Sequence, residues 1–180
     1  MLPAMVFTPT SLPGAFVVEP ELRRDVRGLF ARTWCREEFA AQGLNVQLVQ
    51  CNASFTERRG TVRGMHYQEA PHQEAKLVRC VRGAIHDVIV DLRPHSPAFR
   101  QHFAVDLREG SYRMLYVPEG VAHGFQTLAD ATEVAYQMSA AYHPEAQRGV
   151  RWDDPAFAIR WPEPVCLVSD RDGSFPDFTG

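Results

Sequence analysis

Four side chains have types suited to proton-transfer chemistry and sit in apolar surroundings. Lys76 is the single lysine among 19 basic residues; all the others are arginine. A chain so biased toward guanidinium keeps a compact ammonium where a point-like cation matters; the alternative is an ordinary surface lysine. Asp87 lies in the segment AIHDVIVDL, Ala84–Leu92. Alternate residues of an extended chain share a face, so Asp87 falls with Ile85, Ile89 and Asp91, and His86, Val88, Val90 and Leu92 fall opposite. A carboxylate turned inward needs a partner; an edge position open to water is the alternative. Tyr136 shares a face with Val134 and Met138, either as a core aromatic or as an inward proton donor. His66, in VRGMHYQ, has the parity of Gly64 and Gln68, whereas Arg63 has the opposite one. His66 and Arg63 reach a common site only if the strand twists or bulges, which Gly64 between them permits. Alone, His66 carries no functional assignment.

These residues need a scaffold, and the punctuation of the chain describes one. The 12 glycines and 13 prolines are dispersed, and short runs rich in β-branched and aromatic residues lie between them. The expected strands are Ala15–Glu19, Leu29–Trp34, Gln47–Ser54, Thr61–Gln68, Lys76–Val81, Ala84–Leu92, His102–Leu107, Arg113–Val117, His123–Leu128 and Thr132–Ser139. A helix is expected over Arg36–Gln42, ending before Gly43, and a short turn over Pro144–Arg148. This pattern predicts an all-β jelly-roll sandwich or barrel with one or two short peripheral helices, as one domain over residues 1–180 with a Pro- and Asp-rich tail wrapping the surface from Asp153. At 45% hydrophobic residues the chain has material for a core. A formal net charge of −3 argues against a generally basic nucleic-acid binder. No apolar run approaches the roughly 20 residues of a membrane span, and MLPAMVFTPTSLPGA lacks the positive n-region of a secretory signal, so a cytoplasmic protein is expected. Cys35, Cys51, Cys80 and Cys166 form no C-x-x-C pair and are expected as reduced, mostly buried thiols.

Spacing then relates His66 and Lys76 to a further histidine. Gly60, five residues, His66, then Gln68, Lys76 and Gly83 resemble the first motif of metal-binding jelly-roll cupins, and Pro118-Glu119-Gly120-Val121-Ala122-His123 resembles the second. The ligand set differs. Gln68 stands at the second histidine position, Lys76 at the glutamate and Thr127 at a later asparagine. A divalent ion wants three or four N/O ligands without a cation among them. The expected site therefore holds no metal. Two histidines, a lysine and Asp87 suit acid–base chemistry beside a developing negative charge.

Eight motifs in order carry a closer likeness: Asp25–Phe30 (DVRGLF), Val49–Ser54 (VQCNAS), Arg63–Gln68 (RGMHYQ), Lys76–Gly83 (KLVRCVRG), Pro118–Phe125 (PEGVAHGF), Glu133–Gln137 (EVAYQ), Arg148–Pro155 (RGVRWDDP) and Ser169–Asp172 (SDRD). Together they resemble the dTDP-4-dehydrorhamnose 3,5-epimerase family. That resemblance implies a cofactor-free epimerase inverting C3 and C5 of dTDP-4-keto-6-deoxy-D-glucose through an enolate, in a homodimer. It implies His66 as the base, oriented by Asp172 with Asp170 as competitor; Lys76 beside the C4 oxygen; and Tyr136 as donor from the opposite face. It also implies His123 with Asp87 near the oxyanion, Arg27 and Arg63 on the pyrophosphate, Gln50 and Asn52 on substrate polar groups, and Tyr142 and Phe30 stacking on the base. The alternatives are an epimerase of C3 alone or C5 alone, or a related isomerase, on another 4-keto nucleotide sugar, and a non-catalytic sugar-nucleotide binder. Arg32, Cys51, Ala53 and Ala75 depart from the usual pattern, Arg32 replacing an acidic residue expected near the nucleotide.

Overall fold

The computed structural model describes residues 4–179, so Met1–Pro3 and Gly180 of the expected 1–180 domain lie outside it. Its strands are β1 (Met5–Pro9), β2 (Phe16–Pro20), β3 (Arg23–Asp25), β4 (Gly28–Phe30), β5 (Gln50–Thr56), β6 (Val62–Gln68), β7 (Lys76–Arg82), β8 (Ala84–Asp91), β9 (His102–Arg108), β10 (Met114–Val117), β11 (Val121–Thr127), β12 (Thr132–Met138) and β13 (Gln147–Gly149). The helices are α1 (Arg36–Ala41) and α2 (Asp170–Gly173). Nine of the ten expected strands coincide closely with these; Leu29–Trp34 shrinks to the short β4, and β1, β3, β13 and α2 are additional to the expected elements, β13 beginning where the expected Pro144–Arg148 turn ends. A six-stranded sheet runs β1-β2-β10-β7-β12-β5, a five-stranded sheet runs β13-β6-β11-β8-β9, and β3-β4 form a separate hairpin. The pairings within the sheets are antiparallel, giving a two-sheet jelly roll.

Alternation places the core. Val78, Leu115 and Val134 from the larger sheet meet Ile85, Ile89 and Leu107 from the smaller one. Both faces of β8 are covered: Ile85, Asp87 and Ile89 face that core, while Val88 and Val90 pack under Val150, Phe157 and Trp161 of the C-terminal segment. The tail therefore closes the outer face of the five-stranded sheet. On the outer face of the other sheet, α1 inserts Phe39 against Val18, Leu77 and Tyr116. Glu37 and Glu38 in its first turn complement the helix dipole, and Gly43 follows its end at φ 71°.

The cysteines are free, as expected, but not mostly buried: Cys80 is buried, Cys35 half-buried, and Cys51 and Cys166 exposed. Cys51 is on the outward face of edge strand β5, and Cys166 is in the tail; neither position has a layer packed over it.

Candidate active site

The inward face of β6 meets β11 in register, with His66 opposite His123. The next pair is Arg63 with Phe125, so β6 carries one residue more than β11 over this stretch. This is the bulge that lets Arg63 and His66 share a site despite their opposite parity. Gly64 makes it possible: its φ is 119°, and a Cβ there would lie 2.5 Å from the Gly124 Cα.

His66 Nε2 lies 2.7 Å from Asp172 Oδ1. The other carboxylate oxygen accepts the Gly64 N–H at 3.0 Å. Asp172 is placed by α2, where the Ser169 hydroxyl caps the helix by accepting the Asp172 N–H at 3.1 Å. Burial alone would push the Asp172 carboxyl up, but the hydrogen bonds from His66 and the Gly64 N–H prevail and hold it below the ordinary carboxylate range. It is thus ionised at neutral pH, accepts from Nε2–H, and leaves Nδ1 as the basic nitrogen of His66. Asp170 is exposed, which decides between the two candidates.

Asp87 is fully buried and lies 2.7 Å from His123 Nε2, so the inward reading of this carboxylate holds. Lys76 is 7% exposed, which removes the surface reading. Its ammonium sits 2.9 Å from Glu74 Oε1 and donates to the His66 carbonyl at 3.2 Å. Sequence reasoning does not single out Glu74. The available signal is its place two residues before the lone lysine, hence on the same face of an extended chain.

Tyr136 projects from β12 of the opposite sheet, packs on the core and reaches the same space. Burial raises its phenol above the ordinary value, and the positive charge of Arg63 offsets part of that. Two adjoining cavities share His66, Lys76 and Tyr136. The larger, about 320 Å³, is also lined by Gln50, Asn52 and Tyr142. The smaller, about 180 Å³, is also lined by Arg63 and His123. The Gln50 amide oxygen accepts the Tyr142 N–H at 3.0 Å, and its NH2 donates to Asn52 Oδ1 at 3.0 Å, which ties the Tyr142 loop to β5 at the cavity wall. The Arg63 guanidinium is braced on β5 by Thr56 Oγ1 at 2.9 Å and the Phe55 carbonyl at 3.1 Å.

Two expected residues stand elsewhere. Arg27 and Phe30 lie on the exposed β3-β4 hairpin and line neither cavity of this chain; Arg27 pairs with Asp25 at 2.5 Å, and Phe30 is 61% exposed. Arg32 pairs with Glu38 of α1 at 2.7 Å, and Glu38 also accepts the Met5 N–H, so this departure braces α1 against β1 and lies outside both cavities. Gln68, at the second cupin histidine position, lines the larger cavity but spends its amide on backbone: its NH2 donates to the His72 and Ala141 carbonyls, and its oxygen accepts the His143 N–H. Among the described residues, His72, His143 and Glu145 bring three potential metal-ligand atoms within 4.8 Å. The imidazoles stack at 3.7 Å and 27° from parallel, so their lone pairs lie in separate planes and do not converge on one ion without turning.

The arrangement offers an imidazole on one wall, a phenol on the facing wall, and an ammonium that rises from the phenol's sheet to the carbonyl of the histidine. Residues 9–180 match the family model described as dTDP-4-dehydrorhamnose 3,5-epimerase. The chain is 40% identical to the dTDP-4-dehydrorhamnose 3,5-epimerase of Sinorhizobium fredii over 176 residues, covering 97% of this chain and 90% of that one. It is 42% identical over 169 residues to the enzyme of the same name from Methanothermobacter thermautotrophicus, covering 92% and 90%. A crystal structure of the Bacillus anthracis dTDP-4-dehydrorhamnose 3,5-epimerase with TDP and PPi bound superposes with a TM-score of 0.93 at 38% identity, covering 97% of this chain and 100% of that one.

Proposed function

The chain belongs to the dTDP-4-dehydrorhamnose 3,5-epimerase family, and on that footing we propose that it inverts C3 and C5 of dTDP-4-keto-6-deoxy-D-glucose with the residues of this cavity. The observation that carries the proposal is the placement of His66 and Tyr136 on opposite sheets of one cavity. Inversion requires a proton to leave one face of a carbon and another to arrive on the opposite face. Both target carbons flank the C4 ketone, so removing either proton yields an enolate with its charge on the C4 oxygen. His66 Nδ1 takes the proton, and Asp172 stabilises the imidazolium so formed. Lys76 donates to the enolate oxygen. Tyr136, kept protonated by its burial, returns a proton from the other side. His123, held by Asp87, adds polarisation beside the oxyanion. His66 then releases its proton to solvent and the Tyr136 phenolate takes one back from solvent, so each inversion balances in protons and calls for no cofactor.

The nucleotide lies toward the open side. Arg63, already braced on β5, presents its fork to the pyrophosphate, Gln50 and Asn52 meet substrate polar groups, and Tyr142 offers an aromatic face to the base. Arg27 and Phe30 join this subsite from a second copy of the chain in a homodimer. Their hairpin projects an exposed guanidinium, paired with the hairpin's own Asp25, and an exposed phenyl ring. Among the described residues no helix is long and apolar enough to cross a membrane. Coupling the purified protein to a 4-keto reductase tests the function: formation of a dTDP-L-rhamnose product supports it, and recovery of only D-configured sugar contradicts it.

A further inference from the structure

Glu74 is a buried carboxylate whose side chain is 3% exposed, beside the cavity and outside every motif that pointed to the site. One of its oxygens meets Lys76 at 2.9 Å; the other, Oε2, is buried with no hydrogen-bond partner. A carboxylate held this way carries a desolvation cost that its single partner must offset, and a well-packed apolar side chain would avoid that cost. An orphaned buried oxygen of this kind calls for a reason. Lys76 supplies one. An ammonium has three N–H donors on a rotating head. Here one donor is directed to Glu74 Oε1 and one to the His66 carbonyl oxygen, at 2.9 and 3.2 Å. With two legs planted, the third N–H has a fixed direction, and Lys76 lines both cavities that His66 and Tyr136 share. The second leg rests on the backbone of the base itself, so the oxyanion donor and the base are registered to one another.

Resting on the epimerase reading above, we propose that Glu74 is a positioning residue: it is the counter-charge that permits a buried ammonium at this point and the anchor that aims the Lys76 third N–H at the enolate oxygen. Glu74 touches Lys76, not the reacting carbons. The interaction has its largest effect when charge develops on the substrate oxygen, so its removal falls on kcat rather than on KM.

The test follows exchange of the substrate C3 and C5 protons in D2O by wild type, Glu74→Leu, Glu74→Gln, Lys76→Met and the double variant Glu74→Leu/Lys76→Met. Hydrogen bonds to charged groups have magnitudes that translate to about ten- to a hundredfold in rate, and Glu74→Leu is expected to lose that much in kcat with KM changed by less than about threefold. Glu74→Gln keeps an oxygen acceptor for the ammonium but not the counter-charge, so it recovers only part of the loss and stays measurably slower than wild type in kcat. The double variant is expected to be no slower than Lys76→Met alone, because Glu74 acts only through Lys76. Multiplicative losses in the double variant, or a change in KM with kcat preserved, overturn the proposal. If Glu74→Leu does not fold, the Glu74→Gln variant and its combination with Lys76→Met carry the same cycle. No exchange by wild type would instead refute the epimerase reading, an outcome separate from either of these.

Discussion

Asp172→Asn offers a test in which two nearly isosteric side chains produce opposite chemistry. The carboxylate has divided duties: Oδ1 faces His66 Nε2 at 2.7 Å and Oδ2 accepts the Gly64 N–H at 3.0 Å. An asparagine must keep its oxygen toward the Gly64 N–H, because turning its NH2 there would set donor against donor. Its NH2 then faces Nε2 and donates to it. Nε2 becomes the acceptor, the ring proton moves to Nδ1, and the nitrogen needed as base carries a proton already. In serine proteases, changing the aspartate behind the catalytic histidine to asparagine costs about 10⁴ in kcat through the same tautomer error. The expected loss here is about 10³–10⁴, or roughly 4–5.5 kcal/mol of barrier. Asp172→Ala leaves the Gly64 N–H unsatisfied but lets His66 choose its tautomer, so it should be faster than Asp172→Asn although it removes more atoms. Single-turnover proton exchange in D2O, with circular dichroism to confirm folding, measures both. An Asp172→Asn rate within tenfold of wild type, or Ala slower than Asn, refutes the assignment of Nδ1 as the base.

Tyr136→Phe should preserve washout of the first substrate proton while slowing inversion by about 10²-fold or more, read as exchange without change of configuration; normal inversion returns Tyr136 to a core role. Because burial holds the phenol above its ordinary value, the ratio of inversion to exchange should stay constant up to about pH 10, and a fall beginning near pH 8 contradicts that. Gly64→Ala places a Cβ 2.5 Å from the Gly124 Cα at a φ of 119° and should destabilise the protein by at least about 2 kcal/mol; a urea midpoint equal to wild type argues against the tight β6–β11 approach. Asp172 has a lowered folded-state pKa, so its contribution is fully present above the unfolded value, about 3.9, and is lost as pH falls through the folded value. The stability gap between wild type and Asp172→Ala should therefore narrow below about pH 4, and a gap that widens there reverses the sign of the argument.

Much of the site is legible in the sequence because a strand's period is two. Alternation sets Asp87 among core isoleucines and Tyr136 with Val134 and Met138, and both faces turn inward. The parity conflict between Arg63 and His66 leaves a twist or a bulge at Gly64 as the condition for a shared site, and the register shift opposite Gly124 is a bulge. Other features depend on contacts across long sequence separations. Asp172 is separable from Asp170 only by geometry already encoded in a local cap, since Ser169 followed three residues later by an acid is a helix-start signature. Glu74 gains its meaning from Lys76 and the wall around them, for which the sequence offers proximity alone. The edge strand β1 pairs only with β2 and buries few of its side chains, so its hydrophobic signal is weak. Arg27 and Phe30 sit on an exposed hairpin that lines neither cavity, so their motif is legible in the sequence while its contacts are not.

The most direct measurement of the central claim is proton NMR of dTDP-4-keto-6-deoxy-D-glucose in D2O with wild type and His66→Ala. His66 presents its side chain to a surface cavity while Met65 beside it fills the core, so the alanine variant should fold normally. Wild type should erase both the C3 and the C5 proton signals, and His66→Ala should erase neither on the same timescale. Full exchange by His66→Ala would contradict the role of His66, since the proton would then be leaving by a base other than the one this cavity is built around.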